Sequence, residues 1–146
     1  MRLLPAAVVF AAAVFAHLAT PAAAGELVVF DDSSRDSFVP APGGGDKDPG
    51  AQILWNSALT DQAGKDLGSS AGQCLRVDTA GAYLCTTVFY LAEGALVLVG
   101  RQEVEPTPSL WVITGGSGRY AGARGEATAV PVEQRARFRY TIKFAD

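Results

Sequence analysis

The run from Glu133 to Phe144 alternates without a break. Arg135, Arg137, Arg139, Thr141 and Lys143 fall on one side, and Ala136, Phe138, Tyr140, Ile142 and Phe144 on the other. A two-residue period with one charged and one apolar side is a β-strand lying over a core. No stretch after residue 24 carries a comparable helical period, so this strand needs other strands to cover its dry face.

Seven further segments qualify. Glu26–Asp31, Gln52–Leu59, Gln73–Asp78, Gly81–Tyr90, Ala95–Val104, Ser109–Thr114 and Arg124–Val130 are short and rich in apolar or β-branched residues. Thr60–Ser70 is polar and reads as a loop. Asp32–Gly50 holds three prolines and the triplet Gly43-Gly44-Gly45; at about nineteen residues it is either a lid or a disordered loop, and its composition favours disorder. Eight antiparallel strands with short connections make a sandwich or a closed barrel. An eight-stranded barrel is wide enough for side chains or one small ligand.

The N-terminus stands apart. A positive start at Met1-Arg2, the uncharged apolar run Leu3–Ala16 and the small triplet Ala22-Ala23-Ala24 make a secretory signal peptide over residues 1–24. The mature domain is then 25–146, exported and extracellular, with no membrane association after cleavage. It loses Arg2, leaving eleven Lys+Arg against fifteen Asp+Glu, a formal charge of −4. That acidic balance speaks against nucleic acid as a partner. His17, the only histidine, is also removed. Histidine-based triads and histidine-ligated metals are therefore excluded, and proton transfer falls to Asp, Glu, Tyr, Lys or water. No cofactor is expected.

Two cysteines in an exported chain imply one disulfide. A two-residue turn at Thr79-Ala80 places Cys74 directly opposite Cys85 on adjacent strands, within bridging range.

The stretch Gly115–Glu126, GGSGRYAGARGE, follows a strand. Its core matches the dinucleotide fingerprint G-x-G-x-x-G/A, which requires a helix to open from the turn. The chain continues as strands, so the glycines serve a tight or bulged connection that lets Tyr120 pack back on the barrel end. The same residues, with Gly115, Gly116, Gly118, Tyr120 and Gly125 in place, resemble the GGTG-x-(F/Y)-x-x-ARG-(E/Y) signature of dirigent proteins and allene-oxide-cyclase-like barrels. The cysteine hairpin and the G-x-L-x-x-x-G strand Gly94–Gly100 are most similar to small secreted bacterial members.

The resemblance implies an eight-stranded antiparallel barrel, commonly a homotrimer, with a pocket in its mouth. It implies work without a cofactor on a small apolar molecule: dirigent proteins steer phenoxy-radical coupling, and allene oxide cyclases close a reactive epoxide. Dirigent proteins carry a pocket aspartate after a histidine at the end of the first strand. Here that place reads Phe30-Asp31-Asp32, without the histidine, and either aspartate can be the inward one. Arg124 stands where dirigent proteins use an arginine near the pocket. A turn at Pro131-Val132 would instead pair it with Arg139 and Glu126 with Arg137, on the charged outer face. Trp55, Trp111, Tyr83, Tyr90, Tyr120 and Tyr140 are core or pocket aromatics. The expected function is a small-molecule barrel directing a cyclisation or coupling, an isomerase if it is an enzyme. Its rivals are a lipocalin-like carrier and a solid-cored structural barrel.

Overall fold

The computed structural model describes residues 24–102 and 107–145. The expected signal peptide, apart from Ala24, and the last two residues of the expected strand Ala95–Val104 lie outside them. Nine strands occur among the described residues: β1 Gly25–Asp32, β2 Ser37–Val39, β3 Gln52–Thr60, β4 Asp66–Arg76, β5 Tyr83–Leu91, β6 Gly94–Gln102, β7 Ser109–Gly116, β8 Arg124–Val132 and β9 Arg137–Ala145. From β3 to β9 each strand pairs antiparallel with the next. β9 pairs with β1, and β1 returns to β3, closing an eight-stranded antiparallel barrel. The closure is brief: only Phe30↔Thr60 and Asp31↔Leu59 join β1 to β3, and β2 takes over the same edge at Gln52–Leu54.

The cysteine hairpin has the expected register. Cys74 lies opposite Cys85, the two form a disulfide, and the Asp78 carboxylate fastens the turn by accepting the N–H groups of Gly81 and Ala82.

Three expectations are corrected. β4 begins at Asp66, inside the segment read as a loop. Small residues there fit the barrel: a Cβ on Gly68 would lie 2.0 Å from the Tyr90 carbonyl oxygen, and one on Gly72, further along, 2.3 Å from the Trp55 ring. The segment 32–50 contains β2, and its remainder is turned back on itself by hydrogen bonds such as Gly44 N–H to the Ala41 carbonyl. The β8–β9 turn is not at Pro131-Val132: both lie in β8, opposite Phe138 and Arg137. The reversal falls at Glu133–Ala136, where Glu133, Gln134 and Arg135 all take positive φ, a conformation that composition does not announce for such residues. Arg124 therefore faces Ala145, and Glu126 faces Lys143.

Inward residues fill the barrel from one end. Trp111 and Phe89 are fully buried, and both set an edge against the Tyr140 ring at centroid distances of 5.7 and 5.0 Å. Leu59, Leu96, Leu98, Ile142 and Val29 complete this solid part. The glycine stretch closes the same end. Gly118–Tyr120 forms a short 3-10 turn, and Tyr120 packs edge-on against Phe144.

Candidate functional site

The other end of the barrel is open. β1 runs from Gly25, opposite Phe144, to Asp31, opposite Phe138, so the open mouth lies about 20 Å from the glycine-stretch end at ~3.3 Å per residue. A cavity of about 320 Å³ occupies the mouth. Ile53, Phe138, Phe38 and Tyr83 supply its apolar surface, and Arg76 and Gln102 stand in its wall. A narrower inner extension of about 30 Å³, room for a water molecule or two, continues to Asp31, Trp55, Cys74 and Tyr140. The volume lies at the lower end of the range for small-ligand sites.

The burial pattern along β1 settles which aspartate is inward. Val29 and Asp31 point into the barrel, and Asp31 is 5% exposed. The Ser70 hydroxyl stands 2.9 and 2.8 Å from the two Asp31 carboxyl oxygens. Burial pushes the Asp31 pKa up to about 7; the Ser70 hydrogen bond opposes this and the Asp36 charge adds to it. Asp36, on the same rim, is raised to about 6 by burial and by Asp32. Tyr140 is pushed above its ordinary range by burial and by the nearby Asp31. Ser57 on β3 also acts on the Asp31 carboxyl and lowers its pKa, and Trp55 Nε1 is buried without a hydrogen-bond partner in the wall of the inner extension.

Asp32 is different. It points outward, accepts the Ser34 N–H at 2.9 Å, and is held below the usual carboxylate range by Ser34. Arg124 is exposed at the far end, donating to the Ala123 carbonyl at 2.9 Å. The structure thus brings neither Asp32 nor Arg124 to Asp31. Gly115, Gly116, Gly118, Tyr120 and Gly125 build the closed end and touch no part of the cavity. Trp55, Tyr83 and Tyr140 line the cavity or its inner extension, whereas Trp111 is core and Tyr90 is exposed.

Asp36, Arg76, Gln102 and Ser70 were not singled out from sequence. Arg76 was within reach, because it lies two residues beyond Cys74 and so shares that residue's inward face. Arg135, read as part of the charged outer row, instead lines the cavity mouth because the turn withdraws it from β9. Among the described residues no group of three or more potential metal ligands converges.

No family model and no curated protein matches the sequence. Solved structures do match. A pyocyanin demethylase superposes with a TM-score of 0.73 at 21% identity, covering 83% of this chain and 100% of that one. The pterocarpan synthase dirigent protein PsPTS1 gives 0.70 at 19%, covering 86% and 96%. This is the dirigent-type barrel fold. The exo-specific intermolecular Diels-Alderase AbnU shares it, with a TM-score of 0.64 at 14% identity over 84% of this chain and 98% of that one.

Proposed function

We propose that the dirigent-type barrel binds a small, largely apolar molecule at its mouth and directs a cyclisation or coupling of it without a cofactor. The carrying observation is Asp31: a carboxyl buried at the inner end of the cavity between the Trp55 and Tyr140 side chains, with a pKa raised to about 7. A carrier needs no such group, whereas a general acid does. Named functions of barrels with this fold, among them a pterocarpan synthase dirigent protein and a Diels-Alderase, support a reaction governed by how the substrate is held.

Protonated Asp31 donates its proton to a substrate oxygen as the ring closes or a bond to that oxygen breaks. Ser70 holds the carboxyl in place, and the narrow passage beside Trp55 and Tyr140 admits a single substrate atom or a water that relays the proton. The carboxylate then takes a proton back from the product, so a cyclisation leaves the mass unchanged. Asp36 at the rim is placed to exchange protons with solvent. The protein is proposed to be exported, in keeping with its disulfide. Assembly as a homotrimer is proposed from the resemblance to dirigent-type barrels, and the exposed opposed pair Leu75 and Leu84 on the outer face is open to a second copy.

The test is to incubate the wild type and Asp31→Asn with epoxide and quinone-methide model substrates and follow isomers by mass-resolved chromatography. Expected are isomeric products from the wild type, with a rate that falls as pH rises through about 7 and is lost in Asp31→Asn, while binding persists. Ligands that bind the wild type and return unchanged would refute the catalytic reading and leave the carrier.

A further inference from the structure

Arg76 is the group in the cavity wall that the proton chemistry leaves unused. It is 8% exposed, and with Tyr83 and Gln102 it forms one inward row across β4, β5 and β6. Nε donates to the Asp78 carbonyl at 3.0 Å and Nη2 to the Thr79 carbonyl at 3.2 Å. Nη1 donates to the Tyr83 hydroxyl at 3.1 Å, and the guanidinium carbon lies 5.4 Å from the Tyr83 ring centre. All these partners are neutral. Two of the five guanidinium N–H groups remain, and among the described residues no carboxylate forms an ion pair with it. The nearest acid in sequence, Asp78, gives its carboxylate to the Gly81 and Ala82 amides and has Arg101 as its cationic neighbour.

A buried cation without a counter-ion is costly, and the cost is recovered if an anion arrives from outside. The hairpin carbonyls hold Arg76 from behind, so its fork is fixed before any ligand enters. Lys47 and Arg135 line the same outer cavity, as do Asp36 and Asp46, so with Arg76 the lining carries three cations against two carboxylates. Neither Asp36 nor Asp46 forms an ion pair with Arg76 among the described residues.

We infer that Arg76 is an anion receptor and that the ligand is an organic acid, its carboxylate at Arg76 and its apolar body directed inward past Ile53 and Phe138. This rests on the mouth being a ligand site, but not on Asp31 chemistry. Planar carboxylates match the guanidinium fork, which makes an acid, rather than its neutral amide, the preferred occupant.

The experiment uses the fluorescent probe N-phenyl-1-naphthylamine, displaced by cinnamate or by the isosteric, uncharged cinnamamide. In the wild type, cinnamate should compete about tenfold better, as a charge-assisted hydrogen bond provides. Arg76→Gln should reduce the ratio to about one with the probe still bound. Arg76→Lys should give an intermediate ratio, and Lys143→Gln, an exposed charge on the outer wall, the wild-type ratio. If Arg76→Gln does not fold, the wild-type and Arg76→Lys ratios carry the test. Equal competition by acid and amide in the wild type, or a preference that survives Arg76→Gln, overturns the inference while leaving the pocket intact. A probe that does not bind, or that neither competitor displaces, overturns the ligand site itself and the inference with it.

Discussion

Replacing Asp31 by asparagine should make the protein more stable at neutral pH, by an amount that depends on pH in one direction only. The unfolded chain releases the Asp31 proton at its ordinary value of 3.8, whereas the fold retains it to about 7. Between these values the folded state binds more protons than the unfolded state, so stability falls as pH rises. Below 3.8 both states are protonated and there is no penalty; above about 7 both are ionised and the penalty is constant. At about 1.4 kcal/mol per pH unit over some three units, the wild type should lose about 4 kcal/mol relative to Asp31→Asn. Asp36 titrates in both proteins, and its shift comes from burial and Asp32, so it largely cancels in the difference. Urea denaturation of both proteins at intervals from pH 4 to pH 8, with the disulfide intact, measures this directly. Parallel stability curves would show that Asp31 is not buried as a proton donor, and the general-acid role would fall with it.

Two more outcomes follow from the packing. Gly100 lies against Trp111, and a Cβ there would sit 2.5 Å from the ring. Gly100→Ala should therefore cost about 1–3 kcal/mol in chemical denaturation, and an unchanged midpoint would mean that the solid end is looser than described. The Cys74–Cys85 bridge, with a sequence separation of 11, closes a short loop inside an existing hairpin. Its replacement by two serines should cost roughly 2–3 kcal/mol without loss of the fold, to be read by the same assay and by circular dichroism.

How much of this was legible in the sequence depended on where the determining contact lay. The cysteine hairpin was readable because its turn is local and two covalently linked residues fix its register. The β8–β9 hairpin was not. Pro131 looked like a turn residue, while the true reversal rests on three non-glycine residues with positive φ. β4 hid its first half because residues such as Gly68, which lies against the Tyr90 backbone, look like loop residues. The choice between Asp31 and Asp32 turned on Ser70, 39 positions away. Alternation placed one aspartate inward without saying which, because the strand's phase was set by its partner rather than by its own residues. The glycine stretch announced the fold and lies at the end of the barrel that does not hold the cavity.

The brief junction between β1 and β3 has a kinetic consequence. Asp31 is itself one of the two residues that close the ring there, with Leu59 as its partner. The acid is thus mounted on a slit flanked by strands that are fully paired on their other sides. Parting this slit sacrifices few hydrogen bonds and leaves the Trp111–Tyr140 packing untouched. Amide exchange should be faster at the N–H groups that join β1 to β3 than elsewhere in the barrel strands and should slow when the mouth is filled. A ligand longer than the cavity can then be admitted sideways, with the proton donor riding on the lip that moves.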